Sequence, residues 1–440
     1  MNFLNFIIYS FAGVLIASIV SLIPALHVYN IAGLIILISL NYKNLIPSEY
    51  LPVFMMSMIV TYSFLNIIPS IFLGAPDDST IFVVLPGQKY MLEGRGFEAV
   101  VVSNIGSLVG IIFLFISTPF LFVFLPKIGK ILTPHMFWIL TLILVYMILS
   151  EWPKGMERAK TRLGNFWDAW KSLLAGILTL ILSGFLGIII FNKSLLPLDI
   201  SFQNIMPAFV GLFAVPWIIT NILSKVKIPK QYICKTVDLN FNLIMRGGVA
   251  GFLGGMFAAF FPVVTGGIGG LLAGHATAQR DERIFVLSQG VSKTVYYVGA
   301  FLLFFVPSLN VTRGGLAWMI SPFYNPHTIN DYLIALGTML FAAGLSFLIT
   351  FAYSKFVIKI VEKIDYTIIS YFVLAFIVLL VFYLTGFMGI LIMLVSTMIG
   401  LIPVMFNSRR MNCLGILLIP IILNMSGLGP KVALFLGLIK

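Results

Sequence analysis

The sequence predicts an all-α polytopic membrane protein, and three observations carry that expectation. Hydrophobic residues make up 60% of the 440 and charged residues only 10%. Soluble domains carry about a quarter charged residues, so this chain has too few polar groups to coat a water-facing surface, and lipid is its solvent. Long stretches, among them Ile111 to Leu125, Met136 to Leu149, Leu173 to Phe191 and Tyr371 to Leu384, are nearly free of charge. Roughly 20 helical residues cross a hydrocarbon core, and several of these runs reach that length with their flanks. The runs are solidly apolar rather than alternating, which argues against a strand barrel. About 10 to 14 membrane segments are expected on this basis, some of them re-entrant.

In chain order, Met1-Asn2-Phe3 has neither a basic stretch nor a small-residue cleavage site and reads as the start of a retained first helix. The net charge of +12 does not point to nucleic acid, because the basic residues cluster in short loops. The clusters are Lys127 with Lys130, Lys154 to Arg162, Lys225 to Lys235, Lys355 to Lys363, and Arg409 with Arg410. Loops of that kind usually face the cytoplasm. The first two flank what reads as a single crossing, so orientation stays open. Cys234 and Cys413 are too few for a disulfide framework or a metal site.

The second half echoes the first. Gly13 and Pro24 recur 238 positions later as Gly251 and Pro262. Ser57, Pro76 and Gly106 recur as Ser288, Pro307 and Gly337 at an offset of 231, and Gly211 and Pro216 as Gly415 and Pro420 at 204. The expected organisation is a first transmembrane repeat over 1–223, a linker over 224–242 and a second repeat over 243–440. The repeats are pseudo-symmetric, and inverted if each has an odd number of crossings. Secondary transporters are commonly built this way, with the substrate held near the midplane.

Four proline or glycine breaks interrupt the apolar runs, two in each half. They are Pro24 to His27, Gly74 to Thr80, Pro262 to Gly267, and Pro307-Ser308 with Arg313-Gly314-Gly315. Broken helices expose N–H groups at one end and carbonyls at the other, which can hold an ion within the membrane. Lys293 lies inside the apolar run from Ile284 to Val306, and Gln289, Lys293 and Tyr297 share one helix side by their spacing. A lysine at membrane depth is costly and therefore a functional candidate, the bland alternative being a snorkelling side chain. Ser57, Thr61, Tyr62 and Asn66 line the matching helix of the first half. Asp77 and Asp78 read as an ordinary loop pair, as a cation site or as partners of Lys293 or Arg313, and His27 as a structural imidazole or a proton carrier. No Gly-Lys-Ser/Thr nucleotide loop, His-Glu-x-x-His helix or Gly-x-Ser-x-Gly elbow occurs, so catalysis and an ATP-driven pump in this chain are not expected.

The segments Ser21-Leu-Ile-Pro-Ala-Leu-His-Val-Tyr-Asn30, Phe72-Leu-Gly-Ala-Pro-Asp-Asp-Ser-Thr80, Leu85 to Ala99 with its Glu-Gly-Arg-Gly, Pro262 to Gly270, Arg313-Gly314-Gly315 and Asn412 to Pro420 carry a family resemblance. The chain resembles the large membrane subunit of the tripartite tricarboxylate transporters, in particular the archaeal branch. The resemblance implies an ion-coupled permease for organic anions, in some members served by a small membrane subunit and an extracellular binding protein. Asp77 and Asp78 stand where better-known bacterial members carry small hydroxyl residues, so the substrate-contacting chemistry differs.

The expected function is secondary transport of a small anionic solute, such as a carboxylate, in the plasma membrane of a prokaryote. The expected substrate-binding residues are Pro24, His27, Asn30, Gly74, Pro76, Ser79, Thr80, Pro262, Thr265, Gly266, Gly267, Lys293, Pro307, Ser308 and Arg313. Asp77, Asp78 and His27 are the candidates for a coupling Na+ or H+, with no other cofactor. A carrier of an anionic lipid such as polyprenyl phosphate is the first alternative, because Pro262-Val-Val-Thr-Gly-Gly is similar to the breaks of such a family. A non-transporting scaffold is the second. Homo-oligomerisation is left open.

Overall fold

The computed structural model describes residues 2–24, 26–41, 46–77, 79–151, 161–196, 204–225, 227–262, 264–277, 281–307, 309, 312 and 314–439. Regular structure among them is helical, with no strand. The chain opens with α1 (Phe3–Val20), α2 (Val28–Asn41), α3 (Leu51–Leu65), α4 (Ile67–Phe72), α5 (Val84–Leu92), α6 (Gly96–Ile116), α7 (Thr118–Val123) and α8 (Leu125–Leu132). Next come α9 (Met136–Leu149), α10 (Arg162–Asn192), α11 (Met206–Phe209) and α12 (Val215–Ser224). After residue 224 follow α13 (Phe241–Phe260), α14 (Gly266–Ala276), α15 (Glu282–Leu302), α16 (Gly315–Ile320) and α17 (Ile329–Lys363). The chain closes with α18 (Tyr366–Met405), α19 (Gly415–Met425) and α20 (Gly429–Phe435).

Nine of the described helices are long and apolar enough to cross a membrane, or ten if the bent pair Arg410–Met425 and Gly429–Phe435, turned by 110°, forms one span. The chain is a multi-pass membrane protein, and this number meets the expected 10 to 14 only at its lower edge. Two physical features account for the difference. Gly386 holds φ 64 inside the 40-residue α18, which divides it into two pieces each near the length of one crossing. The 21-residue α15 is not among the nine, because Ser288, Gln289, Ser292, Lys293, Thr294, Tyr296 and Tyr297 depress its hydropathy.

The helices gather into two compact units. The first comprises Met1–Lys130 and Ser224–Tyr371, the second Ile131–Leu223 and Phe372–Lys440. Each unit thus takes one stretch from before residue 224 and one from after it. In the first, α15 is wrapped by α6, α13 and α14 and also meets α3. Glycine allows this closeness. A Cβ at Gly106 would strike the Leu287 carbonyl, one at Gly251 the Ser288 carbonyl, and Gly254 and Gly269 pack backbone on backbone. In lipid, helices gain little from hydrophobic burial against one another, so close van der Waals packing through small residues holds them together.

The segment after residue 226 is docked rather than free. Gln231 donates its backbone N–H to Glu362 (2.6 Å) and its side-chain amide to Met91 O (2.8 Å), and accepts from the Gly96 N–H (3.0 Å).

Candidate functional site

The first two breaks expected from the sequence are non-helical at their described residues, the third and fourth run into the first residues of α14 and α16, and each meets α15 or its immediate neighbours. The first, between α1 and α2, places His27 Nε2 3.0 Å from the Tyr297 hydroxyl. The second, between α4 and α5, brings Asp77 to the same hydroxyl at 2.9 Å. The third ends at α14, where a Cβ on Gly266 would stand 2.9 Å from the Lys293 Cα and 3.0 Å from the Tyr296 Cβ. The fourth ends at Gly314, whose φ of +89 suits glycine and which faces the Ala300 methyl, while Gly315 packs against the Tyr29 ring. Their sequence separations are large, and α15 is what collects them.

Asp77 is the centre. Its Oδ1 accepts from the Ser79 N–H (3.0 Å) and hydroxyl (2.8 Å) and from the Thr80 N–H (2.9 Å) and hydroxyl (2.8 Å). Its Oδ2 accepts from the Tyr62 hydroxyl (3.0 Å), the Asn66 amide (2.8 Å) and the Tyr297 hydroxyl (2.9 Å). An Asp followed two and three residues later by Ser and Thr closes a turn on its own carboxylate. Gly74, at φ 62, supplies the left-handed residue that starts this turn. Ser70 steadies the far side by donating to the Thr80 hydroxyl at 2.8 Å.

Lys293 is fully buried, at 0% exposure. Its ammonium donates to Asn66 Oδ1 at 2.8 Å, and Asn66 donates in turn to Asp77. The carboxamide therefore bridges the cation and the anion. No direct ion pair joins them among the described residues, so the expected Asp–Lys pairing is relayed. An ammonium carries three N–H groups, and Asn66 takes one. One helical turn away on the same face, Gln289 is also at 0% exposure. Neither its amide nitrogen nor its oxygen has a hydrogen-bond partner, and its amide lies 2.7 Å from where a Cβ on Gly270 would stand. An unsatisfied buried amide is costly, so Gln289 and the remaining Lys293 donors mark a place suited to a polar guest.

The His27 tautomer follows from its neighbours. The Tyr29 N–H donates to Nδ1 at 3.2 Å, so the ring proton sits on Nε2 and points to the Tyr297 oxygen. Tyr297 directs its own proton toward Asp77. Three groups thus stand in a row, each donating to the next.

Other expected site residues take supporting places. Thr265 caps α14 by accepting from the Ile268 N–H at 3.4 Å, and Gly267 is buried in its first turn. Pro24 is buried in the first break, and Asn30 is buried in α2. Pro76 is buried in the Asp77 turn, while Pro262 and Pro307 are partly exposed. Asp78, Ser308 and Arg313 lie outside the described residues. Tyr62, Asn66, Gln289 and Tyr297 were not among the expected binding residues, although the i, i+4 spacing of polar side chains in α3 and α15 was the signal for them.

Away from this cluster, charged side chains pair at the ends of helices. Lys89 meets Glu282 at 2.5 Å, and Arg95 meets Glu98 at 2.8 Å. Asp281 caps α15, and the Arg283 guanidinium beside it holds its carboxyl below the usual range. Arg283 also pairs with Asp238.

Comparison with known proteins adds a family to this geometry. No solved structure matches the chain. An uncharacterised protein of Methanocaldococcus jannaschii, MJ1079, is 28% identical over 422 residues, covering 95% of this chain and 98% of the relative. The tripartite tricarboxylate transporter TctA family model matches residues 7–415. With most of its length matched, the chain belongs to the tripartite tricarboxylate transporter TctA family.

Proposed function

We propose that this protein is the permease of a secondary transporter that carries a small organic anion, such as a carboxylate, across the plasma membrane of a prokaryote by alternating access. The observation that carries the reading is Lys293: a fully buried ammonium whose partner among the described residues is a neutral amide oxygen. A buried cation without an adjacent counter-charge is unfavourable by several kcal/mol, and an anionic guest relieves that cost. The guest's carboxylate accepts from the two remaining Lys293 donors and from the Gln289 amide. The start of α14 lies against the Lys293 backbone and adds its positive helix end.

The coupling ion we infer is a proton held at Asp77. Four of its seven donors are hydroxyls, those of Tyr62, Tyr297, Ser79 and Thr80. A hydroxyl can turn from donor to acceptor when the carboxylate is protonated, whereas a sodium ion would require several of these oxygens to be re-aimed at once. His27 and Tyr297 form the path to Asp77. Because Asn66 touches both Asp77 and Lys293, loading either end is felt at the other.

The enclosure of α15 supports a solute carrier over a lipid carrier, which needs a head-group site open to the bilayer. The tripartite character of the family supports a small membrane subunit and an extracellular binding protein as partners. The test is uptake of radiolabelled citrate and succinate by proteoliposomes holding the purified protein. Uptake should fall to background in Lys293→Ala and in Lys293→Met, which keeps the packing. Wild-type rates in both variants would reject the anion site.

A further inference from the structure

The second unit holds a partly buried cation of its own. Arg410 opens the 3-10 turn Arg410–Leu414 that leads into α19. Its guanidinium carbon lies 4.4 Å over the Trp217 ring, and its Nη1 donates to the Phe213 carbonyl at 3.4 Å. Phe213 sits in the π-helical turn Val210–Ala214, followed directly by α12. Turns of this kind interrupt the α-helical hydrogen-bond ladder and recur at functional sites.

The other arm of the guanidinium has no acceptor. Nη2 is buried without a hydrogen bond, and so is the indole Nε1–H of Trp217. No carboxylate among the described residues lies within ion-pair distance of Arg410. Glu151 is the buried acid of the neighbourhood, but it is engaged on either side of Arg410. It accepts from the Arg409 N–H and from the Asn412 amide at 3.2 Å. The aromatic face offsets part of the cost of burying the charge, yet two strong donors from different helices remain without an acceptor. Donors alone, one of them charged, call for an acceptor-only guest, and guanidinium groups favour oxyanions above other acceptors.

We propose that Arg410 Nη2 and Trp217 Nε1 form an oxyanion site in the second unit, which takes a carboxylate or phosphate oxygen from a soluble anion or from an acidic lipid headgroup. It is separate from the Lys293 site and does not rest on the function assigned there.

The test uses the full-length protein in detergent in a Lys293→Ala background, so that anion binding in the first unit does not contribute. One arm follows thermal unfolding on titration with citrate and with inorganic phosphate. The other counts bound phosphatidylglycerol against phosphatidylcholine by native mass spectrometry. A saturable response to the soluble anions identifies a free anion as the guest, and selective retention of phosphatidylglycerol alone identifies a lipid headgroup. Arg410→Gln should abolish the response. Trp217→Phe keeps the ring beneath the guanidinium but deletes the N–H, and should weaken binding about tenfold. If Arg410→Gln does not fold, Trp217→Phe and Arg410→Lys decide. No saturable response in either arm, or equal responses in the parent and the folded variants, would overturn the site.

Discussion

The two units solve one packing problem and carry different electrical loads. In the first, Gly106 and Gly251 meet backbone carbonyls of α15. In the second, Gly187 and Gly415 meet the Ile416 and Leu180 carbonyls, and Gly211 meets that of Met393. The device is the same, glycine against carbonyl, because lipid gives little hydrophobic drive for helix association and close approach must supply it. The polar groups inside the two units differ. The first unit threads a carboxylate, an amide, an ammonium, an imidazole and two phenols into one connected network. The second holds Arg410 against an aromatic face and a carbonyl, with Glu151 serving neighbouring groups. Glycine packing is therefore common to both units, while the connected polar network belongs to the first.

The two units should differ most at Lys293. Replacing it with alanine should cut anion uptake by roughly 100-fold or more, the scale expected for losing a desolvated charge contact. Arg410→Lys, if the first unit alone binds the transported anion, should leave uptake within a few-fold of wild type. Equal losses in the two variants would erase the distinction between the units.

Asp77→Asn separates binding from coupling. Accumulation driven by a pH gradient should drop about tenfold or more, while exchange of labelled for unlabelled anion persists. If a sodium gradient drives accumulation in the wild type and a pH gradient does not, the proton assignment fails.

The shared packing device predicts matched stability losses. Gly106→Ala in the first unit and Gly187→Ala in the second each push a methyl into a carbonyl, and each should cost about 1–3 kcal/mol. Thermal unfolding in detergent checks this, and a loss confined to one variant would show that the units tolerate overpacking differently.

The smallest effect lies at the solvent-facing end of α15. The Asp281 carboxyl is held low by Arg283, so its contribution is present above the unfolded carboxyl range near pH 4 and fades as pH falls through the lower folded value. Asp281→Asn should reduce stability at neutral pH by no more than about 1 kcal/mol, and the wild type and variant should converge in acid when their unfolding is followed against pH.

Much of the site is legible in the amino-acid sequence. The regular breaks at Pro24, Gly74, Pro262 and Pro307 mark the segments that meet at α15, since a proline or a polar turn amid apolar residues signals backbone groups that need partners. Lys293 stands out for a related energetic reason, the cost of a charge at membrane depth. The roles of Asn66 and Tyr297 are less legible. Both are ordinary polar helix residues until a partner more than 200 positions away in sequence makes one a relay and the other a hydroxyl shared by His27 and Asp77. Arg410 is hidden differently. In the sequence it is one half of a basic loop pair, and only the folded chain lays it on Trp217.

The sequence by itself determined the solvent, the helical class and the segments where helices stop, because hydropathy, chain length and proline act locally. The tertiary structure alone decided that stretches from both sides of residue 224 share each unit, that four distant breaks collect around one helix, and that a neutral amide stands between the buried lysine and its acid. Those outcomes depend on which glycines let which backbones touch, a pairwise property of the folded chain.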